Sequence, residues 1–143
     1  MLSYRHSYHA GNHADVVKHL VEVAILEYLK KKDKPFCYHD THAGAGLYSL
    51  QSEHAQKTSE YAGGIGKLFQ YQAKNSSLNS YIKLVQQLNP TGTLQFYPGS
   101  PVIAKTLLRK DDSIQATELH PTDYPLLAAQ FHGRRHCRIE QLD

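Results

Sequence analysis

At 143 residues, 41% of them hydrophobic and 20% charged, the chain has the size and balance of one ordinary globular domain. No apolar run approaches the roughly 20 residues that span a bilayer, and the opening MLSYRHSYHAGNHAD has no apolar signal core, so a cytoplasmic location without a membrane contact is expected. A net charge of +3 tolerates a polyanionic partner without requiring one.

In chain order, residues 1–12 are polar and aromatic without a period and read as an arm. The spacing predicts a helix from about Ala14 to Lys32, with Val17, Leu20, Val21, Ala24, Ile25, Tyr28 and Leu29 on one apolar stripe. Asn12 suits its N-cap, Asp15 its first turn, and Lys30, Lys31 and Lys32 its negative end. Phe36 to His39 reads as a short strand ending at Asp40, where a glycine loop begins. Beyond Leu47 the pattern weakens. Two helices are predicted near Ser59–Gln72 and Asn79–Leu88, the first weakened by Gly63, Gly64 and Gly66.

A short extended piece then meets Ser100–Pro101, read as an N-cap followed by proline at the first helical position, and opens a helix to Arg109. SIQATELHP predicts a strand ending at Glu118. TDYPLLAAQFHG predicts a helix capped by Thr122 and stopped by Gly133, and HCRIEQLD a last strand reaching Asp143. This βαβαβ rhythm predicts an α/β fold with a parallel sheet. Cys37 and Cys137 sit far apart in no metal-binding pattern and read as reduced thiols.

Gly44 and Gly46 permit torsions and a closeness to ligand that a side chain forbids, and ligands of parallel sheets bind beyond the strands' carboxyl ends. A lone G-x-G is equally a tight turn that holds nothing. A phosphate loop is excluded, because Gly66–Lys67 is followed by Leu68 with no upstream glycine in register, and the dinucleotide fingerprint lacks its third glycine. The acid-x-x-x-G-x-G form of the loop better matches one that cradles S-adenosylmethionine. Glu118, at the end of the second sheet strand, is the candidate acid for both ribose hydroxyls, though a strand-end acid is commonly just solvated. Gly46 and Glu118 are 72 residues apart, against about 20 in a compact unit, so an insertion follows the loop. Asp143 is positioned for the adenine edge on spacing alone, which a solvated acid satisfies equally.

The arm and the first helix place His6, His9, His13 and His19 close together, yet with no cysteine nearby and no H-E-x-x-H, so no metal is expected. Tyr4, Arg5, His6, Tyr8 and His9 suit stacking and phosphate contacts to a folded RNA; an arm packed down by its tyrosines explains them as well. Lys18 and His19 either edge the core or face the cleft.

MLSYRHSYHAGNHADVVKH, DTHAGAG, YPGSP, TELHP and DYPLL together resemble, end to end, the bacterial 23S ribosomal RNA adenine-N6 methyltransferases of the RlmJ type. The resemblance implies a class I S-adenosylmethionine-dependent, Rossmann-like fold over 1–46 and 94–143, with a helical insertion at 47–93. It implies cofactor contacts by Lys18, His19, His42, Gly44, Gly46, Ser100, Glu118 and Asp143. Tyr4, with Arg5 and His6 beside it, would meet the 23S rRNA substrate. The family protein is expected to be a monomer.

One departure is large. Proteins of this family are about double this length, and their chemistry needs a D-P-P-Y motif whose Asp and proline carbonyl rehybridise the adenine nitrogen while the aromatic stacks the extruded base. No Pro-Pro occurs in this sequence. The sheet is expected to stop short of its fourth strand. No catalytic residue is therefore expected within the 143 residues, which should be inactive alone and should self-associate through the open sheet edge. A non-enzymatic RNA-binding or ribosome-assembly module, and an α/β domain for another nucleotide, are the competing readings.

Overall fold

The computed structural model describes residues 4–142; Asp143, expected at the adenine edge, lies outside the described residues. A 3-10 turn at His6–Tyr8 leads into α1 (His13–Leu29), β1 (Cys37–Asp40) and β2 (Leu47–Ser49). Three short helices follow, α2 (Glu53–Thr58), α3 (Glu60–Gly63) and α4 (Ile65–Leu68), and then α5 (Ser76–Gln87). β3 (Phe96–Pro98), α6 (Ser100–Leu107), β4 (Ser113–Thr117), α7 (Asp123–Gln130) and β5 (Cys137–Glu140) complete the order.

β1, β4 and β5 form a parallel sheet in the order β1-β4-β5. The α/β reading and the parallel sheet hold. Among the described residues β1 pairs only with β4, so its other edge is open and Cys37 and His39 on it are exposed. Ile114 and Ala116 of β4 are fully buried against Leu26, Ala104, Leu127 and Phe131. A second cluster gathers α5, β2 and β3 around Tyr48, Leu50, Ile65, Tyr81, Val85 and Tyr97. The antiparallel β2–β3 pair, with Tyr48 opposite Tyr97, has no counterpart in the sequence reading.

Asn12 caps α1 as expected, its side-chain oxygen accepting from Asp15 N at 2.9 Å. Most of the predicted stripe on that helix faces outward, Leu20 being the member that packs on the core. Asp15, His19, Val23 and Leu26 are buried, whereas Val17 is 60%, Val21 52%, Ile25 52% and Tyr28 65% exposed. Apolar residues ring this helix, so periodicity admits two faces. The face carrying Val16, Leu20, Val23 and Leu26 is the one the two clusters take.

Gly99, not Ser100, is the N-cap of α6; Ser100 is its first residue and Pro101 its second. The Ser100 hydroxyl is drawn to Asp40 instead, at 2.6 Å. Thr122 makes no side-chain cap bond, because its hydroxyl meets His120. The predicted Ser59–Gln72 helix is broken at Ser59, which is left-handed (φ 52°), and again at Gly64. A Cβ on Gly64 would sit 2.2 Å from Gly11 O and 2.5 Å from Asn12 C. Ile65 N also donates to Gly11 O at 2.9 Å, so the insertion and the arm meet at bare backbone.

Candidate cofactor and substrate cleft

A cavity of about 1140 Å³ opens at the carboxyl ends of the sheet strands, walled by the arm, the first turns of α1, the glycine loop and the residues after β4. Gly44 and Gly46 are left-handed, at φ 64° and 80°. A Cβ on Gly44 would lie 2.2 Å from the Tyr48 hydroxyl, so a side chain is excluded there by space as well as by torsion. Gly44 N donates to Glu118 Oε2 at 2.7 Å, and His120 N to Glu118 Oε1 at 2.6 Å. The strand-end acid thus clamps the glycine loop across 74 residues of sequence.

Asp40, the acid of the loop, is a hub that sequence reasoning left out of the site. Its Oδ2 accepts from Ser100 Oγ at 2.6 Å and from Tyr38 Oη at 3.0 Å, and its Oδ1 from His42 N at 3.1 Å. With its hydrogen committed to Asp40, Ser100 offers a ligand only an acceptor. Burial pushes the Tyr38 hydroxyl far up, with Glu22 and Asp40 adding to it, so it stays a donor. The acid-x-x-x-G-x-G spacing was the available signal for Asp40.

Asp15 anchors the arm. It is 3% exposed and accepts from Gly11 N at 3.0 Å, His6 Nε2 at 2.8 Å and Lys18 Nζ at 3.0 Å. Burial alone would raise its pKa. The His6 hydrogen bond and the Lys18 charge outweigh that and hold it well below the usual carboxylate range. An ionised Asp15 can only accept, so a neutral His6 carries its hydrogen on Nε2. Its Nδ1 then accepts from the Tyr4 hydroxyl at 2.8 Å. Tyr4, stacked on His9 at 5.6 Å, therefore faces the cleft as an acceptor.

His19 is fully buried behind this wall, and burial lowers its pKa to about 3, so its ring is neutral. Its Nδ1 lies 2.7 Å from Tyr97 Oη, which lies 2.8 Å from Tyr81 Oη. If Tyr81 donates to Tyr97 and Tyr97 to His19, the chain is satisfied apart from one Nε2–H. The opposite threading strands a tyrosine hydrogen as well. His19 Nε2 has no partner and no solvent exposure, a buried donor that a ligand or water must satisfy.

The cleft thus gathers Tyr4, His6, Lys18, His42, Gly44, Ser100 and Glu118. His19 and Gly46 stand behind its wall, Gly46 packing against Leu127 and Val102 while its carbonyl accepts from Gly99 N at 2.7 Å. Arg5 turns to the other side of the arm, toward Asp123 at 3.2 Å. Among the described residues no group of three or more His, Cys, Asp or Glu side chains is arranged for a metal.

What S-adenosylmethionine requires fits the groups the cleft presents together: the bare backbone at Gly44, the Glu118 carboxylate, and the Ser100 acceptor near the Lys18 ammonium. A parallel sheet carrying such a loop beyond its first strand defines a methyltransferase-like α/β protein. The family model described as "Ribosomal RNA large subunit methyltransferase D, RlmJ" matches residues 33–143, and the chain belongs to that family. It is 57% identical over 143 residues to ribosomal RNA large subunit methyltransferase J of Escherichia coli K12, covering all of this chain and 51% of that protein. To the protein of the same name from Haemophilus influenzae Rd it is 48% identical, covering 98% of this chain and 50% of the relative. A crystal structure of protein LPL1258 from Legionella pneumophila is similar with a TM-score of 0.84 and 39% identity, over 94% of this chain and 49% of that one. The chain spans about half the length of the curated relatives it matches.

Proposed function

We propose that this chain forms the cofactor-binding part of a cytoplasmic methyltransferase that uses S-adenosylmethionine to methylate the N6 of an adenine in 23S rRNA. The observation that carries this reading is the Gly44–Glu118 clamp, which puts a side-chain-free loop and a carboxylate at one end of one sheet. Bound S-adenosylmethionine would supply an electrophilic methyl group. Glu118, with lone pairs beyond those given to Gly44 and His120, would accept the ribose hydroxyls. The loop backbone at Gly44, with Gly46 shaping its exit, would lie against the amino-acid half. Lys18, His42 and Ser100 would add polar contacts, and His19 its unsatisfied N–H. Asp143 would border the adenine. Tyr4, oriented by His6 and Asp15, would accept a hydrogen bond from the substrate base, and Arg5, on the other side of the arm beside Asp123, would meet the RNA outside the cleft.

No residue of this chain is given the role of proton acceptor from the adenine amine, since the D-P-P-Y motif is absent from it. Methyl transfer would need residues outside these 143. Titration calorimetry with S-adenosylmethionine tests the binding role: weak but saturable binding is expected for the wild type, lost in Glu118→Ala. Binding that is indifferent to Glu118 sinks the reading. Incubated alone with 23S rRNA and tritiated cofactor, the chain should transfer no methyl group.

A further inference from the structure

The turn between α7 and β5 reads HGRRHCR over residues 132–138, with five basic side chains and no acid. A run of charge is ordinarily a solvated face, so the pairing of each cation decides what is available. Of the five arginines in the chain, Arg5 pairs with Asp123, Arg109 with Asp112 and Arg138 with Glu140. Arg134 and Arg135, adjacent in this turn, have no acidic partner among the described residues.

Arg109 shows a filled guanidinium fork: its Nε and Nη2 each lie 3.0 Å from a carboxylate oxygen of Asp112. The same two nitrogens of Arg134 are shielded from solvent and have no hydrogen-bond partner. That edge of a guanidinium would match two phosphate oxygens only once the Arg134 side chain turns outward, whereas the neighbouring Arg135 is already exposed and without an acidic partner. His136 is left-handed at φ 53°, and His132, Arg135 and His136 are exposed. Burial pushes the Cys137 thiol up while Arg134 and Lys105 act in the other direction, which brings a further cation to the same turn.

We propose that residues 132–136, with Arg134 and Arg135 as the principal contacts, bind the phosphodiester backbone of RNA at a site separate from the cleft. This rests on the RNA reading above. The turn precedes β5 and so lies at the amino ends of the parallel strands, whereas the glycine loop and Glu118 lie at their carboxyl ends. Strands of this length set the two about 15 Å apart. Only an RNA several nucleotides long reaches both, and it gains affinity from counterion release at the turn without reading any base.

The test measures binding of the whole chain to a 23S rRNA transcript and to an adenosine-containing trinucleotide, each over a series of salt concentrations. Arg134→Gln with Arg135→Gln should bind the transcript about tenfold more weakly with a salt slope shallower by one to two, and the trinucleotide unchanged. Exposed Arg135→Glu alone should act in the same direction, and Arg135→Lys should recover most of the loss. Transcript binding that keeps its affinity and slope in both variants overturns this site and leaves the RNA reading standing. An equal loss for the trinucleotide overturns it too, as a defect of the fold. A wild-type chain that binds no transcript removes the RNA reading and this site together.

Discussion

The half-buried Glu22 and the fully buried His19, three residues apart on α1, predict an unusual dependence of stability on pH. Burial pushes the Glu22 carboxyl from its ordinary 4.5 up to about 8, and one of its oxygens is buried without a partner. Burial lowers His19 from 6.5 to about 3. For Glu22 the folded value is the higher one, so its contribution is complete below pH 4.5 and is lost as pH rises toward 8. For His19 the folded value is the lower one, so its contribution is complete above pH 6.5 and is lost as pH falls toward 3. Each slope is at most about 1.4 kcal/mol per pH unit.

Between pH 4.5 and 6.5 the two slopes have opposite sign and cancel. Stability should be flat there, fall by about 2 kcal/mol by pH 8, and fall again below pH 4.5, where Asp15 joins His19. Glu22→Gln removes one arm. The difference between variant and wild type, taken from urea melts at pH 4.5, 5.5, 6.5 and 7.5, cancels every group the two proteins share. It should expose a loss of about 2 to 3 kcal/mol in the variant on going from pH 6.5 to 4.5, a large share of a typical domain's stability. A difference that stays constant from pH 4.5 to 7.5 would refute the raised Glu22 carboxyl.

Gly44→Ala places a methyl 2.2 Å from the Tyr48 hydroxyl at a left-handed torsion, and should cost about 1 to 3 kcal/mol in thermal melts with loss of cofactor binding. Tyr97→Phe leaves His19 Nδ1 and the Tyr81 hydroxyl without their shared partner; a loss of about 1 to 3 kcal/mol is expected, and an unchanged melting temperature would contradict the hydrogen-bond chain. Val21→Asp with Ile25→Asp, at positions already more than half exposed, should change stability by no more than about 0.5 kcal/mol. In size-exclusion chromatography the same pair should reduce self-association of the chain, if the apolar side of α1 takes part in it together with the open β1 edge.

Local chemistry made parts of this fold legible. Asn12 as a cap, the glycine after α7 and the strand segments themselves all follow from residues acting within a turn of where they stand. What failed depended on partners far away in sequence. The buried face of α1 was chosen by α5 and the sheet, since apolar side chains surround that helix. Ser100 was read as a cap from its neighbour Pro101, but Asp40, 60 residues earlier, claims its hydroxyl. Asp15 looked like a favourable charge in a first turn and is the buried acceptor that fixes His6 and, through it, Tyr4. The β2–β3 pair is three residues long on each side, too short for alternation to declare itself. Within the site, the loop and Glu118 were visible as residue types at strand ends; the clamp between them required the insertion to fold away first.

Gly64 does not itself line the cleft, yet a substitution scan read by activity would score it with the cleft residues. Its missing side chain is what lets the insertion seat against Gly11 and Asn12, one hydrogen bond from Asp15. Any larger residue there must displace the peptide that begins α1, and with it the carboxylate that sets the Tyr4 hydroxyl. A map of intolerant positions would therefore draw the boundary of the site too wide, and a soluble, folded Gly64 variant with altered Tyr4 environment would reveal the error.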